Sequence, residues 1–147
     1  PDLDVTASDV LVLQNAGPHA ATMPEAGYLP IPRKLAQLGV KDMLRISDAR
    51  MSGTAFGTIV LHVAPEAVLG GPLAAVRNGD RIRLSVSRKS IELLVDDAEI
   101  ARRLADHRPP GEPERGYGAL YRRAVTQAPE GCDFDFLMPP PMRPAVR

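Results

Sequence analysis

The apolar residues fall in short runs divided by turn-forming positions, the arrangement of a domain made of several brief strands and a few helices. Asp9-Val10-Leu11-Val12-Leu13 is rich in Val and Leu and too short for a helix, so it reads as a buried strand. Asn15-Ala16-Gly17-Pro18 breaks it with strong turn residues. Met43 to Ile46 reads as a second strand and Thr58 to Val63 as a third. Strict alternation in Arg81-Ile82-Arg83-Leu84-Ser85-Val86, repeated in Ser90-Ile91-Glu92-Leu93, predicts a hairpin through Ser87-Arg88-Lys89.

Helices are marked by their ends. Pro32 to Leu38 has Pro in its first turn and Gly39 as a stop, and Leu35 and Leu38 are spaced to face one core. Asp96 is placed as an N-terminal cap with Glu99 three residues on, opening a helix that carries Ile100 and Leu104 on one face. Pro109-Pro110-Gly111-Glu112-Pro113 ends that region, and a last helical piece is expected from about Ala119 to Gln127. Residues 139–147, opened by three consecutive prolines, form a tail expected to be loose, leaving 1–138 as the folded domain. The elements do not alternate regularly enough for a doubly wound sheet. The expected class is a β-rich α+β domain, a small barrel or curled sheet with flanking helices.

Composition narrows the possible partners. The 147 residues suit one domain with one core. Eighteen basic residues balance eighteen acidic ones, so there is no electrostatic footprint for nucleic acid or an anionic membrane. The arginines between Arg102 and Arg123 are interrupted by Asp106, Glu112 and Glu114 and read as a solvated face. The single cysteine, Cys132, excludes an internal disulfide and an iron–sulfur cluster built from this segment alone, and reads as a small packed hydrophobe. A reducing, cytoplasmic setting is expected. No apolar stretch approaches the roughly 18 residues of a membrane span. The chain opens at Pro1 and enters a strand-like run almost at once, as expected of a domain cut from something longer.

Candidate chemistry is concentrated in Ile46-Ser47-Asp48-Ala49-Arg50-Met51-Ser52-Gly53-Thr54-Ala55-Phe56-Gly57, where a carboxylate, a guanidinium and several hydroxyls share a loop between two strands. Ser52 is the first candidate, but a serine becomes a base or nucleophile only where a neighbour or metal lowers its pKa. His19, His62 and His107 lie in unrelated contexts, and no Gly-x-Ser-x-Gly elbow is present. From spacing alone, a turn serine capping a backbone amide is the simpler reading. Asp48 and Arg50 suggest an ion pair or loop-bracing hydrogen bonds; the sharper reading has Arg50 grip a substrate carboxylate. Glu25 is ordinarily a solvated loop carboxylate and would bind Mg²⁺ only with ligands from elsewhere. His62 reads as a satisfied, half-buried strand histidine. Asn78-Gly79-Asp80 reads as a turn, and Gly70-Gly71-Pro72 lacks the ending of a phosphate loop.

Four segments together carry a family resemblance: Asn15-Ala16-Gly17-Pro18 with Met23-Pro24-Glu25, Leu29-Pro30-Ile31-Pro32, Ser47 to Gly57, and His62-Val63-Ala64-Pro65-Glu66 with Gly70-Gly71-Pro72-Leu73. The tract that contains them, from Val10 to about Leu104, resembles the C-terminal domain of the dihydroxy-acid and 6-phosphogluconate dehydratases. Asp48 to Gly53 and the ending Gly131-Cys132-Asp133-Phe134-Asp135-Phe136-Leu137 are similar to the sugar-acid members, the arabinonate type among them. The resemblance implies a swivelling β-barrel-like domain that closes over a larger N-terminal domain of the same enzyme, usually in a homo-oligomer. It also implies loss of water from a 2,3-dihydroxy sugar acid to give a 2-keto-3-deoxy acid, with an iron–sulfur cluster and Mg²⁺ as cofactors. On this match Ser52 is the base, Glu25 a Mg²⁺ ligand, and Asp48, Arg50 and Thr54 shape the site. The cluster ligands lie outside this chain, so the domain alone should fold but not catalyse. The rival reading is a free-standing swivel-type barrel that serves binding or assembly.

Overall fold

The computed structural model describes residues 3–22, 29–52 and 56–137. Three short strands, β1 (Leu11–Leu13), β2 (Arg45–Ser47) and β3 (Ile59–Val60), form a parallel sheet in that order. Leu11 lies opposite Arg45 and Leu13 opposite Ser47, while Arg45 also faces Ile59. A parallel pair needs a crossover, and between β1 and β2 the chain passes through helices α1 (Pro18–Ala21) and α2 (Arg33–Gln37). Both faces of this sheet are covered. Ile46 packs with Ala67, Leu73 and Ala74, and Val12 borders that cluster; Leu11 turns the other way, onto Leu35 and Met43. Covered faces explain why β1 reads as a continuous apolar run rather than an alternating one.

Beyond β3 the chain makes 3₁₀ turns at Ala67–Leu69 and Pro72–Ala75 and then the antiparallel hairpin β4 (Ile82–Ser85) and β5 (Ser90–Leu93). Helix α3 (Asp97–Ala105) follows, with Asp96 accepting from the Ala98 N–H at 2.9 Å. It packs on the Pro72–Ala75 turn, where Arg103 donates to the Ala75 carbonyl at 3.0 Å and to Asp80 at 2.6 Å. Helix α4 (Gly116–Ala124) leads to Val125, which pairs with Phe134 in an isolated antiparallel bridge.

Several expectations are corrected. The main sheet is parallel, although the irregular alternation of elements gave no reason to expect that. Leu38 does not join Leu35 in the core: α2 ends at Gln37, and Leu38, as its C-cap, is 80% exposed. Glu99 does not close a capping box on Asp96 but pairs with Arg102 and Arg103. The last long helix runs from Gly116 to Ala124 rather than Ala119 to Gln127, because Val125 turns extended to meet Phe134. Arg122, expected on a solvated face, is 6% exposed and donates to the carbonyls of His19 and Gly111. His62 lies past the end of β3, exposed and with φ 55°, not mid-strand and half-buried. Among the described residues the strands form one three-stranded and one two-stranded sheet.

Candidate functional site

β2 delivers the chain directly into the polar loop, which divides into buried and exposed positions. Ser47, Asp48, Ala49 and Met51 are buried, whereas Arg50 and Ser52 are exposed on either side of Met51. The buried members are anchored in detail. Ser47 Oγ donates to the Leu13 carbonyl at 2.9 Å and accepts from the Ala49 N–H at 2.9 Å. Asp48 has no exposed surface, and its carboxylate accepts three backbone N–H groups: Asn15 at 3.1 Å, Ala16 at 3.0 Å and Ala67 at 2.9 Å. Of the ion pair and the loop-bracing hydrogen bonds expected of Asp48, the structure contains the hydrogen bonds. A buried carboxylate is tolerated when N–H donors replace its lost water.

A second buried carboxylate, Glu66, organises the neighbouring segment. It accepts from the His19 and Ala20 N–H groups at the start of α1 and from Gln127 Nε2 at 2.8 Å. Gln127 Oε1 in turn accepts from the Glu66 N–H at 2.9 Å, so the two residues clasp each other reciprocally. Gly17 belongs to this arrangement, since a Cβ there would overlap the Glu66 carboxylate. Arg45, buried on β2, closes the base of the loop by donating to the Phe56 carbonyl at 2.5 Å, and it also reaches the Leu29 carbonyl at 3.1 Å. The chain segments that precede and follow Ser52 are thus locked together by Asp48, Glu66, Gln127 and Arg45.

The sequence reading singled out Asp48, Arg50 and Ser52, and the structure brings these three onto one loop. Glu25 and Thr54 lie outside the described residues. The sequence motif that contains Glu66 does not reveal its bracing role, and the sequence marks neither Arg45 nor Gln127 as a site residue. The available signals were a charged residue inside an apolar strand, Met43-Leu44-Arg45-Ile46, and a glutamate running into Ala67-Val68. Nothing local marks Gln127, whose partner is 61 residues away.

Beside the loop is an open depression of about 470 Å³ lined by Arg50, His62, Ala128, Pro129, Gly131 and Cys132. Burial pushes the Cys132 thiol above its ordinary pKa; the charge of Glu66 adds to the rise and that of Arg50 opposes it. Cys132 is therefore a neutral thiol near pH 7. Among the described residues no three His, Cys, Asp or Glu side chains gather where a metal ion could be held. Asp48 and Glu66 do not fit a cation site either, because their oxygens already accept N–H groups. A lone neutral Cys132 does not fit a cluster ligand set. Among the described residues no helix is long and apolar enough to cross a membrane.

The family model described as dihydroxy-acid/6-phosphogluconate dehydratase C-terminal matches residues 2–132. The chain is 58% identical over 139 residues to a protein of Pseudomonas putida named 6-deoxy-6-sulfo-D-gluconate dehydratase, covering 93% of this chain and 24% of that protein. It is 54% identical over 144 residues to the L-arabonate dehydratase of Azospirillum brasilense, covering 92% of this chain and 25% of the relative. To dihydroxy-acid dehydratase 1 of Nocardia farcinica it is 46% identical over 136 residues, 90% of this chain and 24% of the relative. The chain spans about a quarter of the length of these relatives.

Proposed function

The chain belongs to the dihydroxy-acid/6-phosphogluconate dehydratase family as a C-terminal domain, and from that premise we propose that it forms the base-supplying part of an enzyme that dehydrates a sugar acid. The observation that carries this reading is the division of labour on the loop after β2: buried Asp48 fixes the backbone while Arg50 and Ser52 face outward two residues apart. A dehydratase of this class removes the proton at C2 of a 2,3-dihydroxy acid, and the C3 hydroxyl leaves as water. The enol that remains takes a proton at C3 and becomes a 2-keto-3-deoxy acid.

In this reading Ser52 takes the C2 proton on its side-chain oxygen. Its position on a braced loop holds that oxygen fixed while the charge changes, which is how preorganisation lowers a barrier. Arg50, on the same exposed edge, shapes the site, and Thr54 contributes to the same loop. Glu25 is assigned to Mg²⁺, and a cluster with ligands from elsewhere in the enzyme completes the cofactor set. When bound, these groups supply Lewis acidity toward the departing hydroxyl and positive charge near the carboxylate. The domain is proposed to swivel over a larger N-terminal domain, in a homo-oligomer, closing on the substrate. Relatives named for sulfogluconate and arabonate favour a sugar acid over the branched-chain dihydroxy acid.

The test is a panel of aldonates and 2,3-dihydroxy acids offered to the full-length protein in deuterated water. The expected product is a 2-keto-3-deoxy acid carrying one deuterium at C3. Failure to release a 2-keto acid from any member would reject the reading.

A further inference from the structure

The depression lined by Arg50 has a charge pattern that the loop chemistry alone does not use. Its lining contains one permanent cation, Arg50, one imidazole, His62, and no carboxylate. The other arginines close to the core are occupied. Arg45 is spent on carbonyls, Arg103 on Asp80 and Glu99, and Arg122 on the carbonyls of His19 and Gly111. Among the described residues Arg50 has no ion-pair partner. The nearby Glu66 acts on the depression only at a distance, since its oxygens are consumed by N–H donors.

The backbone brings Arg50 and His62 together. His62 N–H donates to the Ala49 carbonyl at 3.2 Å, which sets His62 beside the residue preceding Arg50. His62 adopts φ 55° and Cys132, on the facing wall, φ 53°. Left-handed backbone at two non-glycine residues lining one depression is uncommon and is concentrated at functional sites. On the wall formed by 128–132, the N–H groups of Glu130, Gly131 and Cys132 are used within the turn, so that wall supplies shape and only the weak S–H donor of a neutral thiol. Recognition of a ligand there falls to Arg50 and His62.

We propose that this depression is an anion-binding subsite in which the Arg50 guanidinium grips an oxyanion through two parallel N–H bonds and His62 donates a further one. Its volume lies within the roughly 300–1,000 Å³ range of small-molecule sites. Resting on the function proposed above, the oxyanion is a group of the sugar acid: either its C1 carboxylate, one bond from the carbon that Ser52 deprotonates, or an acidic group at its far end.

Inorganic sulfate, titrated calorimetrically into the full-length protein, is the probe. Wild type should bind it, Arg50→Gln should weaken binding by about 10- to 100-fold, as expected for loss of a charge-assisted contact, and His62→Gln should weaken it less. Arg50→Lys, which keeps the charge and removes the fork, should recover part of the loss and guards against misfolding of the glutamine variant. Sulfate binding that is absent from the wild type, or equal in wild type and Arg50→Gln, would overturn the proposal. Two aldonates differing only in a terminal sulfonate or hydroxyl then separate the sources. A rise in KM for both with Arg50→Gln assigns the C1 carboxylate; a rise for the sulfonate alone assigns the far end; no rise for either overturns the subsite. A wild type that binds sulfate at Arg50 but dehydrates no aldonate would leave the subsite standing and sink the proposed function.

Discussion

Asp48 accepts backbone N–H groups from Asn15, Ala16 and Ala67, tying its loop to two segments that are far apart in the chain. Its carboxylate is what lets a loop rich in small residues hold Arg50 and Ser52 outward. Asp48→Asn keeps the shape but turns an NH₂ group toward at least one of those donors. The expected loss is roughly 3 kcal/mol, read as a lowered denaturation midpoint; an unchanged midpoint would mean the bracing is energetically idle. Glu66→Gln should behave similarly, since its NH₂ group would face either the His19 and Ala20 N–H groups or the NH₂ of Gln127, all of them donors. The residue scale also shows what the sequence could reveal. Arg50 and Ser52 were legible because Gly and Ala around them announce a turn where polar groups converge. Glu66 and Gln127 were not, because their meaning arises only from a contact 61 residues long.

At the scale of elements, what was legible followed from local rules. The hairpin of β4 and β5 is encoded in period-two alternation, and α3 in its Asp96 cap. Asp96→Ala should cost about 1 kcal/mol, measured by the same denaturation midpoint. Pairing between β1, β2 and β3 was hidden, since periodicity names neither partner nor direction. Helix α3 also carries a pH signature. Hydrogen bonds from Arg102, then Arg103, hold the Glu99 carboxyl down at about 2, from an ordinary value near 4.5. A carboxylate whose pKa is depressed on folding contributes stability that is complete above its unfolded value and is lost as pH falls through the folded one. Stability should therefore decline from pH 4.5 toward 2 more steeply in wild type than in Glu99→Gln. Parallel declines in urea midpoints over that window would contradict the assignment.

For the whole molecule, the family and the length of its relatives set the frame: this chain corresponds to about a quarter of proteins named as dehydratases. Its described residues hold a braced loop and an open depression, and they offer no ready set of metal ligands. The 147-residue chain by itself should fold cooperatively yet release no 2-keto acid from any aldonate; turnover by the purified chain would refute its role as a part. The central claim is that Ser52 supplies the base, and steady-state kinetics of Ser52→Ala in the full-length enzyme test it most directly. Loss of a positioned base predicts a fall in kcat of about 10²- to 10⁴-fold with KM nearly unchanged and the fold intact by circular dichroism. A folded Ser52→Ala enzyme with wild-type kcat would contradict it.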